Sequence, residues 1–241
     1  MNLHIHTRFS DGDYLPETIL EYLSQSSPDI KILGFSDHCL ALKPSLFKPV
    51  QIQHYCDRIQ QLRQAFPHFT LLAGAELDIQ SFDLRLTDLL QTFDFINIEY
   101  MREMSDFKKL EKIRRAFPRP IFLVHTLFSE QDQKMAELFR IKKKNYPDLL
   151  KAMRDNDLGL ELTDGNRNCL PDLNQEMQPY FHYYPDLLQQ IAEFLLPISI
   201  GSDMHHNLEE LNLIGRAAAA IEACNLQNNY QRTLHLLNYH A

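Results

Sequence analysis

Phe69-Thr-Leu-Leu-Ala-Gly-Ala-Glu76 is almost wholly apolar and stops on a carboxylate. A run this short and continuous suits a strand covered on both faces, the pattern of a parallel sheet, and not the alternation of a half-solvated strand. Six further segments repeat the design: Asn2 to His6, Lys31 to Asp37, Phe93 to Tyr100, Pro120 to His125, Leu158 to Thr163 and Leu196 to Asp203. Between them the spacing turns helical. Pro16 to Leu23 opens on a proline suited to the first helical turn and puts Ile19, Leu20 and Leu23 on one face. Ile52 to Phe66, Ser105 to Phe117 (with Ser105 as N-cap), Leu187 to Leu196 and Leu208 to Cys224 read the same way. Asp132 to Asp155 reads as two helices broken near Pro147. Strand and helix in alternation predict a parallel α/β architecture. Seven strands favour a closed or nearly closed barrel. An open doubly wound sheet is the alternative, but no Gly-x-Gly-x-x-Gly follows a strand to support a dinucleotide fold.

The chain has 241 residues, 44% hydrophobic and 23% charged, which excludes a disordered or fibrous protein. No linker, repeat or low-complexity stretch interrupts it, so residues 1–241 read as one domain. No apolar run approaches the ~18 residues that cross a bilayer, and Met1 to His6 lacks the marks of a secretory signal. A soluble, cytoplasmic protein with no membrane partner is the expectation. The net charge of −8 argues against holding long nucleic acid. The four cysteines are scattered with no Cys-x-x-Cys pair, so they read as reduced structural thiols. Nothing in the sequence fixes the oligomeric state.

The chemistry lies where the strands end. His4 and His6 close the first, Asp37 and His38 the second, Glu76 the third, and His125 the fifth; Asp203 and His205 follow the seventh. In a parallel α/β barrel the carboxyl ends of all strands converge on one face, where active sites are built. His4 and His6 are two apart, so both point to one face, and Asp203 and His205 repeat that spacing. Imidazole and carboxylate together suit Zn, Mn or Fe. Gly34, Gly74 and Gly201, three of only 7 glycines, precede these clusters and predict close backbone packing beneath them. His54, His68, His182, His235 and His240 fall in helices or loops and read as structural or solvated; His206 has the wrong strand parity for a ligand.

His4-Ile-His6-Thr-Arg-Phe-Ser-Asp11-Gly12, Gly34-Phe-Ser-Asp37-His38, Gly74-Ala-Glu76, Val124-His125 and Gly201-Ser-Asp203-Met-His205 together resemble the successive motifs of the PHP (polymerase and histidinol phosphatase) family. The resemblance spans nearly the whole chain and implies a distorted (β/α)7 barrel of TIM-like type, a site for two to three metal ions and hydrolysis of phosphate esters. It implies that His4, His6, Glu76 and Asp203 hold one ion. Glu76 would bridge to a second, which His125 also binds, and Asp11, His38 and His205 would hold a third. Asp37 would orient a ligand imidazole from behind. The family carries another His near the end of the fourth strand. Here Asp94-Phe-Ile-Asn-Ile-Glu-Tyr-Met101 has none. Either Glu99 substitutes as a harder ligand that favours Mn or Mg over Zn, or the second position is weak or empty.

Ions held in such a site would supply a hydroxide to attack phosphorus in line, with Asp203, Glu76 and His205 expected to act through it. Arg167, in the loop Thr163-Asp-Gly-Asn-Arg-Asn168, then Arg102 and Arg8, are the candidates for the substrate phosphate. The resemblance favours a phosphatase acting on a small phosphate monoester, with histidinol phosphate suggested. A 3′–5′ exonuclease or phosphodiesterase acting on short oligonucleotides, and a catalytically degenerate metal-binding domain, are the alternatives.

Overall fold

The computed structural model describes residues 1–26, 29–39, 46, 48–125, 146–165, 169–172 and 174–238. Its strands are β1 (Asn2–Ile5), β2 (Ile32–Phe35), β3 (Thr70–Asp78), β4 (Phe95–Glu99), β5 (Ile121–Leu123), β6 (Gly159–Thr163), β7 (Cys169–Pro171), β8 (Met177–Pro179) and β9 (Ile198–Gly201). All but β7 and β8 pair in chain order, each parallel to its neighbour, as one seven-stranded sheet. The chain beyond β9 returns to β1. Asp203 N donates to His4 O (2.9 Å) and His6 N to Met204 O (3.0 Å), so the sheet curls into a nearly closed barrel. This is the nearly closed barrel expected from the seven apolar runs, in the distorted (β/α)7, TIM-like form that the resemblance implies.

The helices are α1 (Pro16–Ser26), α2 (Pro49–Ala65), α3 (Phe107–Ala116), α4 (Tyr146–Asp155), α5 (Pro185–Glu193), α6 (Gly215–Ala223) and α7 (Gln227–Leu236). Each turns its apolar stripe to the sheet: Ile19, Leu20 and Leu23 of α1 and Ile52, Tyr55, Ile59 and Leu62 of α2 are buried. The Tyr55 hydroxyl lies 2.7 Å from the Phe35 carbonyl and 3.0 Å from that of Gly74, which ties α2 to the ends of β2 and the middle of β3. Inside the barrel the Phe95 ring occupies the space above Gly34 and Gly74. A Cβ at Gly34 would stand 2.6 Å from that ring, and one at Gly74 would overlap it. The close packing expected beneath the clusters is therefore a phenylalanine from β4 filling what two glycines leave open.

Some elements differ from expectation. Ser105 does not cap α3: it lies in a 3₁₀ turn and donates to Glu103 Oε1 (2.6 Å), while Asp106 Oδ2 accepts from the backbone N–H of Arg102 and Glu103. The β7–β8 hairpin has strands of three residues, too short to leave a periodic signal. The expected Leu208 to Cys224 helix is a 3₁₀ turn (Leu208–Asn212) followed by α6. Of the pair expected over 132–155, α4 is the second member; the first lies outside the described residues. No helix among the described residues is long and apolar enough to cross a membrane.

Candidate metal centre

All nine side chains expected to ligate metal, His4, His6, Asp11, His38, Glu76, Glu99, His125, Asp203 and His205, gather at the carboxyl end of the barrel. They form four groups whose ligand atoms lie within 4.8 Å of one another: His4 with His6 and Asp203; His4 with Glu76 and His125; His38 with Glu76 and Glu99; and His6 with Asp11, His38 and His205. His4, His6, His38 and Glu76 each belong to two groups, so the four close into a ring.

Glu76 sits at the middle. Its Oε1 is 3.3 Å from His4 Nε2 and 3.6 Å from His125 Nε2; its Oε2 is 3.3 Å from His6 Nε2 and 3.1 Å from His38 Nδ1. Opposite, Asp203 Oδ1 lies 3.5 Å from His4 Nε2 and 3.4 Å from His6 Nε2. These two imidazole nitrogens are themselves only 3.1 Å apart. The strands explain the convergence, since His4 and His6 share one parity and His38 pairs in register with Glu76. His125 and Asp203 take left-handed backbone conformations (φ 53° each), as does Tyr100 after Glu99 (φ 59°). Such conformations in non-glycine residues are strained and cluster where a side chain must be re-aimed.

The residues fit a cation. Glu76 Oε1 and His6 Nδ1 are sealed from water and have no hydrogen-bond partner of proper geometry. Lone pairs of imidazole and carboxylate facing one another in this way, away from water, are costly unless positive charge lies among them. The proton affinities say the same. Burial disfavours charge on His4, yet Glu161, Glu76 and Asp203 hold its imidazole well above the ordinary value. Burial would likewise raise the carboxyls of Asp203 and Glu76, but His4 leads the imidazoles that hold both well below the usual range. His205 goes the other way, down to about 4, because burial and then the neighbouring His6 oppose its charge. It is a neutral imidazole at pH 7. Its Nδ1 donates to the Asp203 carbonyl (2.9 Å), which leaves Nε2 facing Asp11 at 3.5 Å.

Two expectations are corrected in detail. Glu99 does join the centre, but against His38 (3.6 Å), on the opposite side of Glu76 from His125. β4 lies between β3 and β5, and the Glu99 carboxylate turns toward the β3 side, while His125 leans over to His4, 5.4 Å away between ring centroids. Asp37 does not orient an imidazole. It accepts from Thr7 N (2.7 Å), Thr7 Oγ1 (2.8 Å) and Ser10 Oγ (2.6 Å), and so shapes the loop that carries Asp11. The carboxylate behind an imidazole is Glu161 of β6, whose Oε1 accepts from His4 Nδ1 at 2.9 Å. It was missed although the sequence held a signal, a lone charge inside the apolar run Leu158 to Thr163.

Among the phosphate candidates, Arg102 is half-buried with its Nε sealed and without a hydrogen-bond partner. Arg8 is exposed and donates from Nε to Asp13 O (2.7 Å). Arg167 lies outside the described residues, as does most of the loop after His38. His206 is exposed beside Asp13.

A nearly closed parallel barrel with an imidazole–carboxylate centre at its carboxyl end defines the class of architecture. No protein-family model matches the chain, and no curated protein sequence does. Among solved structures it is similar to a histidinol phosphate phosphatase from Lactococcus lactis subsp. lactis, complexed with zinc, L-histidinol and phosphate. That likeness has a TM-score of 0.60 at 15% identity and covers 92% of each chain. A DUF72 family protein from Enterococcus faecalis scores 0.40 at 11% identity over 100% of this chain and 96% of its own, too remote to bear on the fold.

Proposed function

We propose that this chain is a metal-dependent phosphoric monoester hydrolase of the PHP type, acting on a small phosphorylated metabolite. The observation that carries the reading is the ring of four overlapping imidazole and carboxylate groups, built from nine side chains of which Glu76 is the central one. The fold neighbour's complex with zinc, L-histidinol and phosphate makes histidinol phosphate the first substrate to try. Two to three ions would be held, of Zn, Mn or Fe, by the residues of the four groups. Ions bound there supply Lewis acidity that activates water near neutral pH and offsets charge on phosphoryl oxygens.

The chain's own residues do the rest. Glu76 offers one oxygen to the His4 and His125 side and the other to the His6 and His38 side, so it would help to hold ions on both sides. Asp203 stays ionised and faces His4, His6 and, through Oδ2, His125 at 3.7 Å. His205, neutral at pH 7 and tied back to the Asp203 carbonyl, presents a lone pair and not a proton. Arg102, three residues beyond Glu99, is assigned to a phosphate oxygen on the chemistry of its planar guanidinium. Arg167 and Arg8 are assigned the same role on sequence grounds.

A substrate panel on the metal-loaded protein tests this. Histidinol phosphate and other small monoesters should release phosphate, with bis-p-nitrophenyl phosphate and short oligonucleotides turned over at least tenfold more slowly. Preferential cleavage of the diesters would overturn the monoesterase reading.

A further inference from the structure

Glu161 is a carboxylate in the floor of the barrel, 2% exposed, on a strand otherwise built of apolar residues and one threonine. Its Oε1 accepts from His4 Nδ1 (2.9 Å) and from Thr163 Oγ1 (2.7 Å); its Oε2 is buried without a partner. Among the described residues, the one ionisable partner within ion-pair reach of Glu161 is His4. A buried carboxylate is expensive unless positive charge reaches it, and here that charge can come only through the His4 imidazole, from a proton or from an ion on its far side.

The geometry of His4 shows how. An ionised carboxylate can only accept, so His4 Nδ1 carries a proton, and Nε2 is the nitrogen whose lone pair an ion would take. Nε2 is the atom that faces His6, Glu76 and Asp203 at 3.1, 3.3 and 3.5 Å. Gly201 of β9 makes the arrangement possible. A Cβ there would stand 2.5 Å from His4 Cβ and would overlap the Glu161 carboxylate. Thr163 holds the carboxylate from the other side. His205 also donates from its back nitrogen, but its acceptor is a backbone carbonyl, which carries no net charge.

We propose that Glu161 is the positioning residue of the centre: it fixes the His4 tautomer and ring plane and, through His4, sets how tightly the two groups that share His4 bind their ions. The inference rests on the metal-centre reading above but not on any turnover. Carboxylate partners behind ligand imidazoles typically change metal affinity by about 10–100-fold.

The experiment is a zinc titration of the full-length, metal-stripped protein against a chromogenic chelator, for wild type, Glu161→Gln and Thr163→Val, with circular dichroism to check folding. Glu161→Gln should weaken the tightest zinc site about 10-fold or more, with the dichroism unchanged. Thr163→Val should weaken it in the same direction but less, because Glu161 keeps its bond to His4. In the zinc-loaded wild type, two-dimensional ¹H–¹⁵N spectra of the imidazoles should show His4 protonated at Nδ1. A folded Glu161→Gln with wild-type zinc affinity overturns the proposal. Should that variant not fold, a Thr163→Val protein with unchanged affinity, or a wild-type His4 protonated at Nε2, overturns it instead. A zinc-loaded wild type that releases no phosphate, beside a Glu161→Gln protein of weakened zinc affinity, would overturn the hydrolase reading and leave the role of Glu161 standing.

Discussion

Replacing Glu76 by glutamine keeps the size of the side chain and one carbonyl oxygen but removes its charge. Because its two oxygens face four imidazole nitrogens at 3.1–3.6 Å, the change strikes two ligand groups at once. A unit charge pair about 4 Å apart at an effective dielectric constant near 20 is worth roughly 4 kcal/mol. At about 1.4 kcal/mol per tenfold, that is close to 10³ in affinity for a single charge, and more for a divalent ion. The assay is zinc and manganese titration of the stripped protein by isothermal calorimetry, with the tightest sites read by chelator competition. Glu76→Gln should weaken two binding events by about 10³-fold each, where the loss of a residue serving one ion would weaken one. Asp164→Asn is the control. Asp164 is a buried carboxylate that accepts from Arg216 Nε (2.6 Å) and Ala217 N (2.9 Å), outside all four groups. It should cost stability and leave zinc affinity within a factor of about three. Two binding events of unaltered affinity in Glu76→Gln would refute the bridging role.

Further outcomes follow from the same geometry. Phe95→Ala empties the space above Gly34 and Gly74 and should cost about 3–5 kcal/mol in urea unfolding; a loss under about 1 kcal/mol would mean the barrel floor collapses around the gap. In the metal-free protein, burial pulls the His6 imidazole down, but Asp203 and Glu76 outweigh it and hold it at about 9. The folded value lies above the ordinary 6.5, so this contribution is complete below pH 6.5 and is lost as pH rises through about 9. The melting temperature of chelator-treated protein should therefore fall between those values, while that of zinc-loaded protein should not, since deprotonated ligands favour the ion. A chelator-treated protein whose melting temperature rises over that range would contradict the assigned proton affinity. Glu99→Gln should weaken manganese binding by its His38–Glu76–Glu99 group and spare the tightest zinc site; equal loss of both metals would mean that Glu99 does not act locally.

The barrel was legible because its strands are buried on both faces and therefore read as apolar runs that end on imidazoles and carboxylates. The cluster of candidate ligands was legible for the same reason: His4, Glu76, His125 and Asp203 stop or follow such runs, and a parallel barrel brings strand ends together whatever their separation in sequence. Pairings within the centre were not. Whether Glu99 turns toward His38 or His125 depends on side-chain rotation at the end of a central strand, which no spacing encodes. Asp37 and Glu161 illustrate the limit of local context. Asp37 stands next to a ligand but serves the Thr7 and Ser10 loop, whereas Glu161, 157 residues away in the chain, serves His4. Short elements such as β7 and β8 escaped because three residues carry no period.

The central claim is that the ring of imidazoles and carboxylates binds metal in order to hydrolyse phosphate monoesters. Its most direct test is elemental analysis of the purified protein beside phosphate release from histidinol phosphate and p-nitrophenyl phosphate, before stripping, after stripping, and after adding back Zn²⁺ or Mn²⁺. The account requires two to three equivalents of metal, turnover that vanishes on stripping, and recovery with the metal. One equivalent or none, with no phosphate release after metal is restored, would contradict it.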